Sequence, residues 1–156
     1  MRRNPAAFAI LAGGCIAGAI DITYAIVFSG FHGVPAIRIL QSVASGLLGP
    51  AAYEGGVPTA ALGLLLHFLM ALLWAAIFYI ASRRLHLLTR QAVLAGLLYG
   101  MAVYAVMNLV VLPLSAFPGK VTFTPMLLAT GLFVHMFGFG LPISLAARRA
   151  VWRAAS

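Results

Sequence analysis

Four long apolar runs decide what this chain can fold into. They cover about residues 8–30, 58–80, 91–113 and 125–147. Each is long enough to cross a bilayer core, which takes about 20 helical residues. Too few charges remain to solvate a globule. Of the 156 residues 63% are apolar and 8% are charged, against roughly 25% charged in a soluble domain. The sequence predicts an all-α membrane protein, a single integral domain over residues 1–156 with four transmembrane helices and no soluble module.

The net charge of +8 raises the question of nucleic acid, and the positions of the charges answer it. Arg2 and Arg3 precede the first run. Arg83, Arg84 and Arg90 lie between the second and third, and Arg148, Arg149 and Arg153 follow the fourth. Only Arg38 and Lys120 fall in the other two connections. The positive-inside bias then places both termini in the cytoplasm. The arginines have anionic lipid headgroups as partners. No basic stripe with interleaved aromatics is present, so nucleic acid is not expected as a partner.

Cys15 is the only cysteine, which excludes an intrachain disulfide and a cysteine-based metal site. The start "MRRNPAAFAILAGGC" has some features of a lipoprotein signal. The apolar run continues past Cys15, however, and Ala12 stands where such signals usually carry leucine, so an uncleaved first helix is expected. The arginine pair is likewise accounted for by topology rather than by a twin-arginine signal.

Local signals mark the helix ends. Pro58 and Pro125 suit a first helical turn, and Thr124 is placed to cap the fourth helix. Pro113 and then Phe117-Pro118-Gly119 stop the third helix. Pro142, inside the fourth, predicts a kink. The connection from 31 to 57 contains an amphipathic segment at about residues 35–48. Ile37, Leu40, Ala44 and Leu47 share one face, and Arg38, Gln41, Ser42 and Ser45 the other. It is expected to be a short helix on the outer membrane surface.

The second and fourth runs repeat one another. "GLLLH", ending at His67, follows Pro58, and "GLFVH", ending at His135, follows Pro125. Both runs end in small residues and two arginines, "ASRR" and "AARR". The first and third match weakly, "LAGGCIAG" against "LAGLLYG". The chain therefore reads as two similar hairpins related by an axis along the membrane normal.

The repeat brings out a polar layer. At about 1.5 Å per residue, His67, His135 and Asp21 all fall about 13–15 Å below the outer surface. Tyr104 aligns with Asp21, and Asn108 lies one turn further out. Gly14, Gly18 and Asp21 form one stripe. Gly63 shares a face with His67, Gly131 and Gly138 share one with His135, and Gly96 and Gly100 make a second GxxxG. Small-residue stripes allow close helix contact, so the polar residues are expected to point into the bundle, as the cost of placing them in lipid requires.

Three readings of this layer follow. In the first it is mainly structural, with Asp21 hydrogen-bonded to a histidine and Tyr104 and Asn108 completing the network. In the second it is a proton relay or ion site, because histidine changes charge near neutral pH. A four-helix chain is thin for a carrier or channel, so that reading calls for a homo-oligomer. In the third the layer holds a cofactor. His67 and His135, on diagonal helices, would ligate haem b, or would join Asp21 around a divalent metal. The expectation is the first reading, a small membrane protein with no cofactor. No GxSxG elbow, phosphate loop or HExxH is present, and no enzymatic activity is expected. His32 and His86 read as solvated loop residues. Trp74, Tyr79, Tyr53 and Trp152 read as packing or interfacial aromatics, and Glu54 as an outer headgroup residue.

Residues 60–150 resemble the YagU-like family of bacterial inner-membrane proteins. The resemblance is carried by "GLLLHFLMALLWAAIFYIA", by "QAVLAGLLYG" with the later Pro113, and by "LFVHMFGFGLPISLAARR". It implies an inner-membrane location and supports the positions of His67 and His135, but it implies no activity. Family members carry a longer insert after the first helix, so Asp21 has no counterpart fixed by the resemblance.

Overall fold

The computed structural model describes residues 4–120 and 123–155. Arg2 and Arg3 lie outside the described residues. Among the described residues there is no strand. The helices are α1 (Pro5–Gly30), α2 (Ala36–Leu48), α3 (Gly56–Arg84), the single turn α4 (Leu87–Arg90), α5 (Ala92–Leu114) and α6 (Pro125–Trp152). Of these, α1, α3, α5 and α6 are long and apolar enough to cross a membrane.

Three of the helices, α1, α3 and α6, outrun the apolar stretches at their arginine-bearing ends. Hydropathy marks where lipid would stop, but alanine and arginine are good helix formers and carry the helix further. At the start of α1, Asn4 accepts from the amides of Ala6 and Ala7, so the helix begins at Pro5 rather than near Phe8. Thr124 caps α6 as expected, accepting from the Leu127 amide at 3.3 Å. These caps satisfy amides that the first helical turn leaves without partners.

Two of the long helices are interrupted. A π-helical stretch occupies Met107–Val111 in α5 and another Val134–Gly140 in α6. Leu112, just before Pro113, donates its amide to the Met107 carbonyl, and Leu141, just before Pro142, donates to Met136. Both bonds reach back five residues instead of four. Proline has no amide hydrogen, so the carbonyl four residues before it loses its partner. The ladder loosens locally rather than breaking. Where a kink was expected at Pro142, a π-helical stretch immediately precedes the proline. The sequence reading gave no such stretch in α5.

In the packing, α1 lies between α3 and α6, and α5 lies against α6. The core consists largely of small residues, including Ala17, Ala71, Ala75 and Ala147, with Phe78, Phe139 and Ile143 filling between them. Glycines set the closest approaches. A Cβ on Gly100 would run into the His135 carbonyl, and one on Gly140 into the Gly96 carbonyl, so α5 and α6 cross backbone against backbone. Near the arginine-bearing end, α3 meets α5 where the Tyr99 hydroxyl donates to the Trp74 carbonyl at 2.7 Å and the Tyr99 ring packs on Phe78. The Trp74 indole N–H is buried there without a partner. Many large apolar side chains on the four long helices are exposed, Leu11, Leu65, Ile80 and Leu109 among them. That surface suits lipid rather than water.

Gln41 and Ser45 from the polar face of α2 are buried together with Ala44 from the apolar one, whereas Leu47 is 63% exposed. Gln41 donates to the Gly56 carbonyl at 3.1 Å and to the Thr59 hydroxyl at 3.4 Å. Gly63 makes the approach possible, since a Cβ there would meet the Leu40 carbonyl. Gly63 was expected to pack into the bundle beside His67; instead it receives the backbone of α2. At its far end α2 is tied to the α5–α6 connection by the Ala116 amide, which donates to the Gly46 carbonyl at 2.9 Å.

Candidate functional site

Asp21 is brought inward by the glycine stripe of α1. A Cβ at Gly14 would lie 2.9 Å from the Leu72 side chain, and one at Gly18 3.0 Å from the Ala71 Cβ. α3 therefore rests on this stripe, and His67 Nε2 lies 2.9 Å from the Gly18 carbonyl. On the other flank, Gly138 lies against Ile20. This sets the π-helical stretch of α6 beside α1, with His135 Nδ1 3.5 Å from Asp21 Oδ1.

The geometry assigns the imidazole hydrogens. A backbone carbonyl only accepts, so the ring nitrogen facing it must carry the hydrogen. His135 Nδ1 is 3.1 Å from the Gly131 carbonyl, so its N–H points toward that carbonyl and the Asp21 carboxylate. His67 donates from Nε2 to Gly18. In the neutral rings, His135 Nε2 and His67 Nδ1 are left holding the lone pairs.

Tyr104 and Asn108 support this arrangement. The edge of Tyr104 meets the His135 ring at 5.1 Å between centroids and 74° between planes. Phe139 stacks on His135 at 5.7 Å. Gly131 makes room for Tyr104, because a Cβ there would lie 2.7 Å from the tyrosine ring. Asn108 donates to the Tyr104 carbonyl at 2.9 Å. Asn108 and His135 thus both bond back to the carbonyl four residues earlier, and each sits in one of the two π-helical stretches.

The layer is not packed solid. Asp21, His67, Asn108 and His135 all border a cavity of about 460 Å³, and the Asp21 and His135 side chains remain 19% and 16% exposed. Leu66 and Met70 of α3 and Met107, Val111 and Leu112 of α5 form its apolar walls. Ser42, Val43, Gly46 and Leu47 bring α2 over it, and Ser115 and Phe117 complete the rim. Four of the five expected layer residues therefore meet at one place. Tyr104, the fifth, stands behind His135 and does not line the cavity.

His67 is turned to the α1 backbone, while His135 is paired with Asp21. Among the described residues no three His, Cys, Asp or Glu side chains group as a metal-holding set.

Some members were missed. The Tyr24 hydroxyl donates to Thr130 at 2.6 Å, and Thr130 donates to the Met126 carbonyl at 2.7 Å. This link joins α1 to α6 one turn beyond the Asp21–His135 pair. The position of Tyr24 three residues after Asp21 was its only sequence signal. Gly13, facing Ile143 and Ala146, and Gly140 also set close contacts that the stripe argument left out. Elsewhere, His32 and His86 are exposed, as are Cys15, Glu54 and Trp152. Trp152 lies under the Arg148 guanidinium at 4.5 Å.

No protein-family model, curated protein or solved structure matches this chain. The site has to be read from its own chemistry. It offers one carboxyl group, two imidazoles, an amide and two hydroxyls, set into an otherwise apolar chamber.

Proposed function

We propose that this protein binds a small molecule within the membrane, in the chamber bordered by Asp21, His67, Asn108 and His135. The supporting observation is that four polar side chains from four helices, two of them the Asp21–His135 pair, converge on a cavity of about 460 Å³. Mostly apolar pockets of about 300–1,000 Å³ with a few convergent polar groups are the usual form of a small-molecule site. Carriage of the bound molecule, linked to a proton on the Asp21–His135 pair, is the natural extension of this reading and would call for a homo-oligomer.

The polar layer has a structural role as well. His67 on the Gly18 carbonyl and Tyr24 on Thr130 each fix the register of one helix against α1. Such contacts contribute only about 0.6–2 kcal/mol apiece in a membrane, yet they hold the chamber walls in place.

The surroundings we propose are a bacterial inner membrane with both termini cytoplasmic, in keeping with the arginine distribution and with the resemblance to the YagU-like family. The arginines would face anionic headgroups, and α2 would lie at the outer interface as the roof of the chamber. The two hairpins would descend from one repeated unit, with π-helical stretches only in the second.

The test is a thermal-stabilisation screen of the protein in lipid nanodiscs against small amphiphiles, neutral and charged. Stabilisation by at least one compound, abolished by filling the chamber with Met70→Trp, supports binding. No stabilisation by any compound, or equal stabilisation of the filled variant, overturns it. A C-terminal tag accessible from the periplasm would overturn the orientation.

A further inference from the structure

The charge in the chamber narrows the ligand further. Asp21 is the only acidic side chain within the four long apolar helices, since Glu54, the other acid of the chain, is exposed before α3 begins. Among the described residues the only ion-pair partner of Asp21 is His135. The polar groups that line the chamber with it are His135 on α6, His67 on α3, Asn108 on α5, Ser42 on α2 and Ser115 after α5. None of these is a permanent cation. Arg38, the one arginine on α2, is turned away, donating to the Tyr53 carbonyl at 3.2 Å and lying over the Tyr53 ring.

His135 Nδ1 lies 3.5 Å from Asp21 Oδ1 and closer, at 3.1 Å, to the Gly131 carbonyl. Whenever the carboxylate is ionised and the imidazole neutral, the chamber holds a negative charge with no permanent cation beside it, in surroundings where an unpaired charge is costly. A positively charged occupant would remove that cost. A neutral one would not, and an anion would add to it.

The walls say which kind of cation. A hard metal ion needs about six oxygen ligands, far more than the chamber offers, and among the described residues no three His, Cys, Asp or Glu side chains group to hold a softer one. A hydrated inorganic cation would set its water shell against Leu66, Met70, Met107, Val111 and Leu112. A cation with its charge spread under an apolar skin loses little hydration on entry, and polarisable methionine sulfurs and the Phe117 ring suit such a surface. At about 30 Å³ per water-sized unit, 460 Å³ admits a body on the order of 10–15 non-hydrogen atoms.

We infer that the chamber selects lipophilic monovalent organic cations, such as alkyl- or aryl-ammonium ions, with Asp21 as the counter-ion. This rests on the chamber being a binding site, as proposed above, and adds the sign of the ligand's charge and the residue that reads it.

The test uses two probes of nearly one shape, the benzyltrimethylammonium ion and its neutral carbon isostere neopentylbenzene. Their binding to the full-length protein in nanodiscs is measured by equilibrium dialysis. The inference expects the cation to bind at least about tenfold more tightly than the isostere, as a charge held close to a carboxylate in partly dry surroundings should. It also expects Asp21→Asn to remove that preference, so that the variant binds the two probes equally. Equal binding of both probes to the wild-type protein overturns the inference and leaves the chamber standing as a binding site. Binding of neither probe overturns the inference and counts against the chamber itself. The comparison of probes on the wild-type protein stands even if Asp21→Asn does not fold.

Discussion

Gly100→Ala should damage this protein out of proportion to the one methyl group it adds. The new Cβ would be placed 2.7 Å from the Met136 Cα and closer still to the His135 carbonyl. Carbon contacts settle at about 3.5–4.0 Å, so α6 must retreat by roughly 1 Å. Every obstacle is backbone, and no side chain can swing aside. Overpacking of this kind costs typically about 1–3 kcal/mol, and the backbone obstacle argues for the upper part of that range. Gly30→Ala is the matched control, because nothing lies within 4 Å of a Cβ at that position. It should stay within about 0.5 kcal/mol of the parent. Reversible unfolding in mixed micelles, followed by circular dichroism against detergent mole fraction, gives both values. If Gly100→Ala were as stable as Gly30→Ala, the backbone-on-backbone crossing of α5 and α6 would be wrong, and with it the placement of His135.

A double-mutant cycle with Asp21→Asn and His135→Gln should give a coupling of about 0.5–1.5 kcal/mol, the range for polar contacts between membrane helices; additivity within error would show that the 3.5 Å pair is not an interaction. Gln41→Leu removes the bonds to Gly56 and Thr59 and should cost about 1 kcal/mol, read as faster amide exchange in α2; unchanged exchange would mean that Gln41 does not hold the roof. Pro142→Ala restores an amide where the ladder now skips, and should let α6 revert to regular α-helix. The residues on one side of the stretch would then rotate by about 100°. Cysteine cross-linking between positions 21 and 135 should fail in that background but succeed with Pro142 in place, and equal yields would refute the link between proline and π-helical stretch.

The sequence told most where a local rule sufficed. The cap at Thr124, the inward turn of Asp21 on Gly14 and Gly18, and the pairing of Asp21 with a histidine all follow from spacing along one helix and from the cost of a carboxylate in lipid. It told least where the deciding partner is remote. Tyr24 and Thr130 are 106 residues apart, and nothing in either segment announces the other. Amphipathicity considers only water and lipid, and so gave no sign that Gln41 meets the start of α3 and its Gly56 carbonyl. Gly63 was assigned to the bundle because it shares a face with His67, a rule that does not say which backbone fills the gap. The cavity itself had no signal, since an unfilled space depends on how far α3 and α5 stand apart, and no residue type encodes that.

The two π-helical stretches also bear on how this chain tolerates change in length. Each holds one residue more than an α-helix needs to join the turns on either side. Losing one residue from 107–111 or from 134–140 would let the ladder close as ordinary helix with both flanks still in register. The same deletion in α1 or α3, which have no slack, would rotate everything beyond it. Single-residue shortening should therefore be best borne, as fold, in the two segments that hold Asn108 and His135, and there it would abolish the chamber's chemistry while sparing the bundle.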